Sequence, residues 1–304
     1  MGREPRPMSS ERRAGPEGPR ARIGVLGGFG LWVGGDPVTV PVGSEKVLAF
    51  LALRCRAAVP RPLVAGTLWP EASERCAHAD LRAALARLNH RGRQALDVTA
   101  AEVRLAPGTS VDLHHVRRTA QLLVDPTAGP AGAAGVPGAP LEIVRVLSAE
   151  LLPGWYENWA LSEAEEWRQL RLHALETLAG RLRTAGRYAE AIVAAQAAVH
   201  AEPLRESGQT CLVLAHLSDG NLSEALNAFT RYARRLRDEL GLDPPEHLYR
   251  LVSGCARASG TATPGVSAAR EPPGAGSRGR HATVTPAGEE WQGQRPAPYP
   301  GRAR

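Results

Sequence analysis

Apolar positions follow different spacings in different parts of this chain. From Arg22 to Val42 they come as short runs split by glycine, RIGVLGG, FGLWVGG and DPVTVPV. Val38, Val40 and Val42 alternate with Thr39 and Pro41, the pattern of a half-buried strand, and Gly34-Gly35-Asp36-Pro37 supplies a turn, so a small antiparallel sheet is predicted. At Ser44 the period changes to a helical one. Val47, Leu48, Leu51, Ala52 and Cys55 form an apolar stripe, with Ser44 as the expected cap and Glu45 at the positive helix end. A second helix is predicted from Arg61 to Trp69, stopped by Pro70. The third contains AHADLRAALARLNHRGR, Ala77 to Arg93. After it LDVTAAEVRLAP alternates as a hairpin whose apolar members are Val98, Val103 and Leu105.

The third helix raises a choice between a surface helix and one that lies in a DNA groove. At 100° per residue, Leu81, Leu85 and Leu88 fall within about 60° of one another beside Ala84, which makes a buried face. Arg82, Asn89 and Arg93 are expected on one side of the opposite arc and Arg87 on the other, with Ala83, Ala86 and His90 between. Small residues at the middle of that arc let a backbone approach a duplex, and arginines at its margins reach phosphates or guanine edges. The strand, three-helix and hairpin order around it favours the DNA reading over a merely solvated face.

From Glu163 to about Gly254 the pattern is helical and repeats. GRYAEAIVAAQAAV begins at Gly186 and GNLSEALNAFTRYA at Gly220, an offset of 34 residues that aligns Glu190 with Glu224 and Ala191 with Ala225. This is the tetratricopeptide period, in which glycine permits a tight turn and alanine a close helix crossing. Pro203 is expected to start the next helix. Helices at 112–124, 141–152, 161–184 and 245–254 are expected to cap the stack. Residues 141–257 carry 16 Asp and Glu against 13 Lys and Arg, so this half is no second DNA surface by charge. EAEEW and RRLRDEL read as helix faces with i,i+4 pairs. Trp155, Tyr156, Trp159 and Trp167 read as core packing, with an anchor for a partner as the alternative.

Composition adds exclusions. Residues 1–21 and 258–304 and the internal stretch 125–140, DPTAGPAGAAGVPGAP, hold few large aliphatics and are expected to be disordered. Of 37 basic residues only Lys46 is lysine, so arginine abundance is partly background, and a net charge of +6 is weak evidence for a polyanionic partner. Cys55, Cys76, Cys211 and Cys255 are too scattered for a disulfide framework or a zinc site, and no metal or cofactor is expected. No apolar run would span a bilayer, and a cytoplasmic, nucleoid-associated protein without membrane contact is expected. IGVLGGFG only superficially suggests a dinucleotide fingerprint, because Val33 stands where a third glycine is needed and a strand follows. Without a phosphate loop, nucleophile elbow or H-E-x-x-H motif, no enzyme and no catalytic residue is expected.

LWPE at Leu68–Glu71, DLRAALARL at Asp80–Leu88, VDLHHV at Val111–Val116, LLPGWYENWALSEAEEWRQLRLHALETLA, AGRYAEAI and RDELGLDPPEHLYRL together resemble the SARP-type bacterial transcriptional activators. The resemblance covers about residues 22–254. It implies a mixed fold: an N-terminal α+β winged helix-turn-helix of the OmpR type over 22–110, followed by an all-α, tetratricopeptide-like bacterial transcriptional activator domain over 111–257. It further implies that the helix with Arg82 and Arg87 enters the major groove and that the hairpin around Arg104 acts as a wing. The full expected DNA-binding set is Arg82, Ala83, Ala86, Arg87, Asn89, His90, Arg91, Arg93 and Arg104. The implied partners are double-stranded promoter DNA with direct repeats, a second protomer forming a homodimer there, and RNA polymerase, at an antibiotic or other secondary-metabolite gene cluster. The wing turn Ala100-Ala101 departs from the usual glycine-aromatic sequence, and a basic pair is more usual at Asn89-His90. The alternative is therefore a protein-interaction adaptor with a degenerate winged helix. About 21 residues before the first strand are too few for a receiver domain, and no phosphorelay control in cis is expected.

Overall fold

The computed structural model describes residues 20–54, 57–125 and 139–258, the last four by backbone alone. Cys55, the expected tails and the expected internal loop lie outside the described residues, apart from the margins of those segments. The chain opens with β1 (Ala21–Gly24), β2 (Gly30–Val33) and β3 (Asp36–Pro37). Gly34 and Gly35 join β2 to β3 with φ of 61° and 93°, the double left-handed turn that suits a two-residue hairpin. The sheet order is β3-β2-β1-β7, with β7 (Thr109–Val111) parallel to β1.

The strand expected over Val38–Val42 is a correction. Only Asp36 and Pro37 pair with β2, and helix α1 (Val42–Leu53) starts before Ser44. Val38 adds one backbone hydrogen bond, N to Leu31 O at 2.8 Å, and it and Val40 pack on the core edge outside the strand, while Val42 is exposed at the helix start. The alternation reported half-burial along an irregular segment, which period alone does not separate from a strand. Ser44 does not cap the helix either: Pro41 holds that position, and Ser44 is fully buried in the first turn.

Strand β4 (Val59–Pro60), α2 (Arg61–Leu68), α3 (Glu74–Arg87) and α4 (His90–Arg93) follow, then β5 (Leu96–Val98) and β6 (Glu102–Leu105). The expected hairpin forms with Asp97 opposite Arg104, and β4 adds to its edge in the order β4-β6-β5.

In the second half come α5 (Asp112–Val124), α6 (Pro140–Leu147), α7 (Asn158–Thr184), α8 (Tyr188–Ala201), α9 (Glu206–Ser218), α10 (Leu222–Leu240) and α11 (Glu246–Ala258). Gly186 and Gly220 take φ of 73° and 77° at equivalent interhelix turns, and Ala191 and Ala225 are fully buried where the helices cross. Pro203 lies in the turn before α9 rather than at its start, and its carbonyl accepts from Gln209 Nε2 at 2.7 Å.

Helix α6 stops at Leu147, short of the expected 152. The chain beyond it is drawn out along the first sheet. Gly27 N donates to Glu150 O at 2.7 Å, Leu152 N donates to Val25 O at 2.9 Å, and Leu26 bridges Leu151. Buried side chains of both halves form one contiguous core. Phe50 of α1 meets Trp159 of α7 edge-on, with ring centroids 5.5 Å apart. Trp159 also meets Trp155, and Trp167 is buried with its Nε1 donating to Ala149 O. Of the aromatic cluster, only Tyr156 stands exposed.

Candidate nucleic-acid interface

Helices α2 and α3 form the helix-turn-helix. Ser73 caps α3, its Oγ accepting from Cys76 N at 3.4 Å, and Ser73-Glu74 is the sequence signal that moves the helix start upstream of Ala77. The buried stripe is Ala77, Leu81 and Ala84, with Leu85 partly buried. Leu88 is also buried but in extended backbone, because α3 ends at Arg87.

That ending corrects the continuous helix expected through Arg93. Two side chains, through three hydrogen bonds, take over the work of further helical turns at the C-terminal end of α3. Ser44 Oγ donates to Ala84 O at 2.6 Å, Arg93 Nη2 to Ala86 O at 3.0 Å, and Arg93 Nε to Leu88 O at 3.1 Å. Asn89 then caps α4, its Oδ1 accepting from Gly92 N at 2.7 Å. The asparagine that breaks the helix thus starts the next one, a role for which its short acceptor is suited.

The nine expected residues separate into two groups. Arg82, Ala86 and Arg87 are exposed and Ala83 half-buried on the outward face of α3. Among the described residues, neither Arg82 nor Arg87 has a hydrogen-bond or ion-pair partner. By contrast, Arg91 donates to Asp36 at 2.7 Å and to Val33 O at 2.9 Å, which ties α4 to the β2–β3 turn. Arg93 is held at the end of α3, and Arg104 pairs across the wing with Asp97. Asn89 is a cap, and His90 is exposed at the start of α4. So the structure keeps Arg82, Ala83, Ala86 and Arg87 on one surface and places the others on the elements that surround it.

Arg61 fixes the wing to the helices. Its Nη1 donates to Thr99 O at 3.1 Å and its backbone N to Ala101 O at 2.9 Å. Between α3 and the wing runs a groove of about 330 Å³, lined by Arg61, Arg82, Leu85, Ala86, Leu88, Arg93, Leu96 and Val98. No group of His, Cys, Asp and Glu suited to a metal ion occurs among the described residues. No described helix is long and apolar enough to cross a membrane.

Fold and site define a winged helix-turn-helix joined to a tetratricopeptide-like stack. Residues 142–254 match the bacterial transcriptional activator domain family. Over 245 residues the chain is 31% identical to the regulatory protein AfsR of Streptomyces coelicolor, covering 76% of this chain and 24% of that protein. Over 107 residues it is 35% identical to AfsR of Streptomyces griseus, covering 35% of this chain and 11% of that one. It therefore spans a quarter or less of the length of these curated relatives. The solved structure of Mycobacterium tuberculosis EmbR, in complex with a low affinity phosphopeptide, shares the fold at a TM-score of 0.60 and 24% identity, over 79% of this chain and 65% of that one. Residues 142–254 thus carry the bacterial transcriptional activator domain, and these matches support a likeness to the SARP-type transcriptional regulators.

Proposed function

We propose that this protein is a sequence-specific DNA-binding transcriptional activator, with residues 22–110 as its DNA-binding part and 111–257 as its activator part. In this reading α3 enters the major groove of a promoter and the β5–β6 wing lies near the minor groove. One observation carries it. Arg82 and Arg87 are exposed and, among the described residues, without partners at the margins of a face whose middle is Ala83 and Ala86, backed by the buried Leu81 and Ala84. A cation left unpaired on a rigid, side-chain-capped helix is available to phosphate or to guanine O6 and N7.

The likeness to these regulators supports further proposals: promoter direct repeats occupied by side-by-side protomers, recruitment of RNA polymerase, control of a secondary-metabolite gene cluster, and residence on the nucleoid. Binding of the full chain to its own upstream promoter fragment, titrated with salt, tests the core of the reading. The affinity is expected to exceed that for random duplex and to fall with a log-log slope of about −0.9 per phosphate contacted. A well-folded chain with no preference between the two duplexes would instead favour the adaptor role.

A further inference from the structure

Away from the DNA-binding face, a cavity of about 420 Å³ opens between α6 and α8 and reaches the buried Arg171 of α7. Its volume lies within the range of small-molecule sites. We infer that this cavity binds a small carboxylate with an apolar body, seated on the Arg171 guanidinium.

The guanidinium is the reason. Arg171 is 4% exposed, and a buried cation ordinarily requires a close counterion and saturated hydrogen bonds. Among the described residues, Nη1 donates to Ser148 O at 3.0 Å, Nε has no partner, and the nearest carboxylate, Glu150, stays 3.9 Å from Nη2. That distance is beyond hydrogen-bond reach, and the Glu150 side chain is 66% exposed. Nε is closed to solvent, so a ligand carboxylate meets the guanidinium at Nη2, which has no hydrogen bond among the described residues, through a charge-assisted hydrogen bond. Burial pushes the Arg171 guanidinium down from its ordinary value, and Glu150 counters only part of this.

The walls suit the rest of such a ligand. Val193 of α8 lines the cavity on the same stripe as Gln196 and His200. Neither of those two polar side chains has a partner among the described residues, so both are available beside an apolar lining. Glu150 belongs to the segment that hydrogen-bonds to Val25 and Gly27, just past β1, and in that segment Leu152 is held at φ 43°, a left-handed conformation rare for a branched residue. A ligand carboxylate on Arg171 therefore lies beside Glu150, within the strand-like link between the two halves.

Hexanoate titrated into the full chain tests this by calorimetry, with hexanamide as the uncharged control and inorganic phosphate as a second anion. Saturable hexanoate binding in the millimolar range is expected, as suits a ligand of few atoms, with none for hexanamide. Glu150→Gln removes the competing carboxylate and is expected to tighten binding about fivefold. Arg171→Met is expected to abolish it. Should that variant not fold, Val193→Trp, which fills the cavity from an exposed wall position, is expected to do the same. Absence of saturable hexanoate binding, equal binding by wild type and the blocked variants, or binding of phosphate but not hexanoate would each overturn the inference. None of these results depends on whether the chain binds DNA.

Discussion

The Ser44 hydroxyl, fully buried in α1, hydrogen-bonds at 2.6 Å to the carbonyl oxygen of Ala84 in the last turn of α3. Carbonyls in a last turn run short of intrahelical donors, so a residue forty positions earlier finishes the helix that carries the candidate site. Ser44→Ala leaves that carbonyl buried without this partner and is expected to cost about 1–3 kcal/mol. The measurement is the urea midpoint, which should fall at unchanged slope. Wild-type stability in the variant would remove Ser44 from this role.

The arginines of the site should separate by experiment as they do by geometry. Arg87→Ala is expected to change stability by less than about 0.5 kcal/mol while weakening promoter binding, by about 1–3 kcal/mol if Arg87 reads a guanine. Arg93→Ala should instead cost about 1 kcal/mol of stability through the two lost carbonyl contacts. Gel-shift titration and thermal melts of both variants decide the matter, and a reversed pattern would exchange their roles.

Arg104 is paired with Asp97 across the wing at 2.5 Å. Asp97→Asn frees the cation without shortening the side chain. Tighter DNA binding is expected, with the salt slope steeper by about one. An unchanged slope would place the wing away from the phosphates.

Phe50 and Trp159 join the two halves through an edge-to-face contact. Trp159→Ala is expected to destabilise by about 3–5 kcal/mol. A double-mutant cycle with Phe50→Leu should return a coupling of about 0.5–1.5 kcal/mol. A coupling near zero would mean that the rings contribute by burial alone.

Lys46 and Glu157 form a second link, Nζ to Oε1 at 2.6 Å. Burial pushes the Glu157 carboxyl up, but the hydrogen bonds from Lys46 and from the backbone of Glu157 and Tyr156 outweigh it, and the group sits below its usual 4.5. A depressed carboxyl contributes stability that is present above that ordinary value and is lost as pH falls through the folded one. The stability gap between wild type and Glu157→Gln should therefore be widest near neutral pH and close on acidification, as followed by urea titrations across that range. A gap independent of pH would show that the carboxylate charge contributes nothing.

Local chemistry made much of this molecule legible. The 34-residue offset between Gly186 and Gly220 announced two equivalent left-handed turns, because few residues other than glycine occupy that backbone region at low cost. The leucine spacing of α3 identified its buried side, because a regular helix maps sequence position onto direction. Other features depended on partners distant in the chain. Ser44 has the composition of a cap, and only the approach of α3 makes it a buried donor to Ala84. Arg91, Arg93 and Arg104 are indistinguishable in sequence from Arg82 and Arg87; whether a guanidinium is free or already paired depends on which carboxylates and carbonyls the folded chain brings within about 3 Å of it. Periodicity thus indicated most of the helices and their buried sides, while where α3 ends and which charges stay available to a partner were decided by long-range packing, since hydrogen bonding acts over distances that sequence separation does not encode.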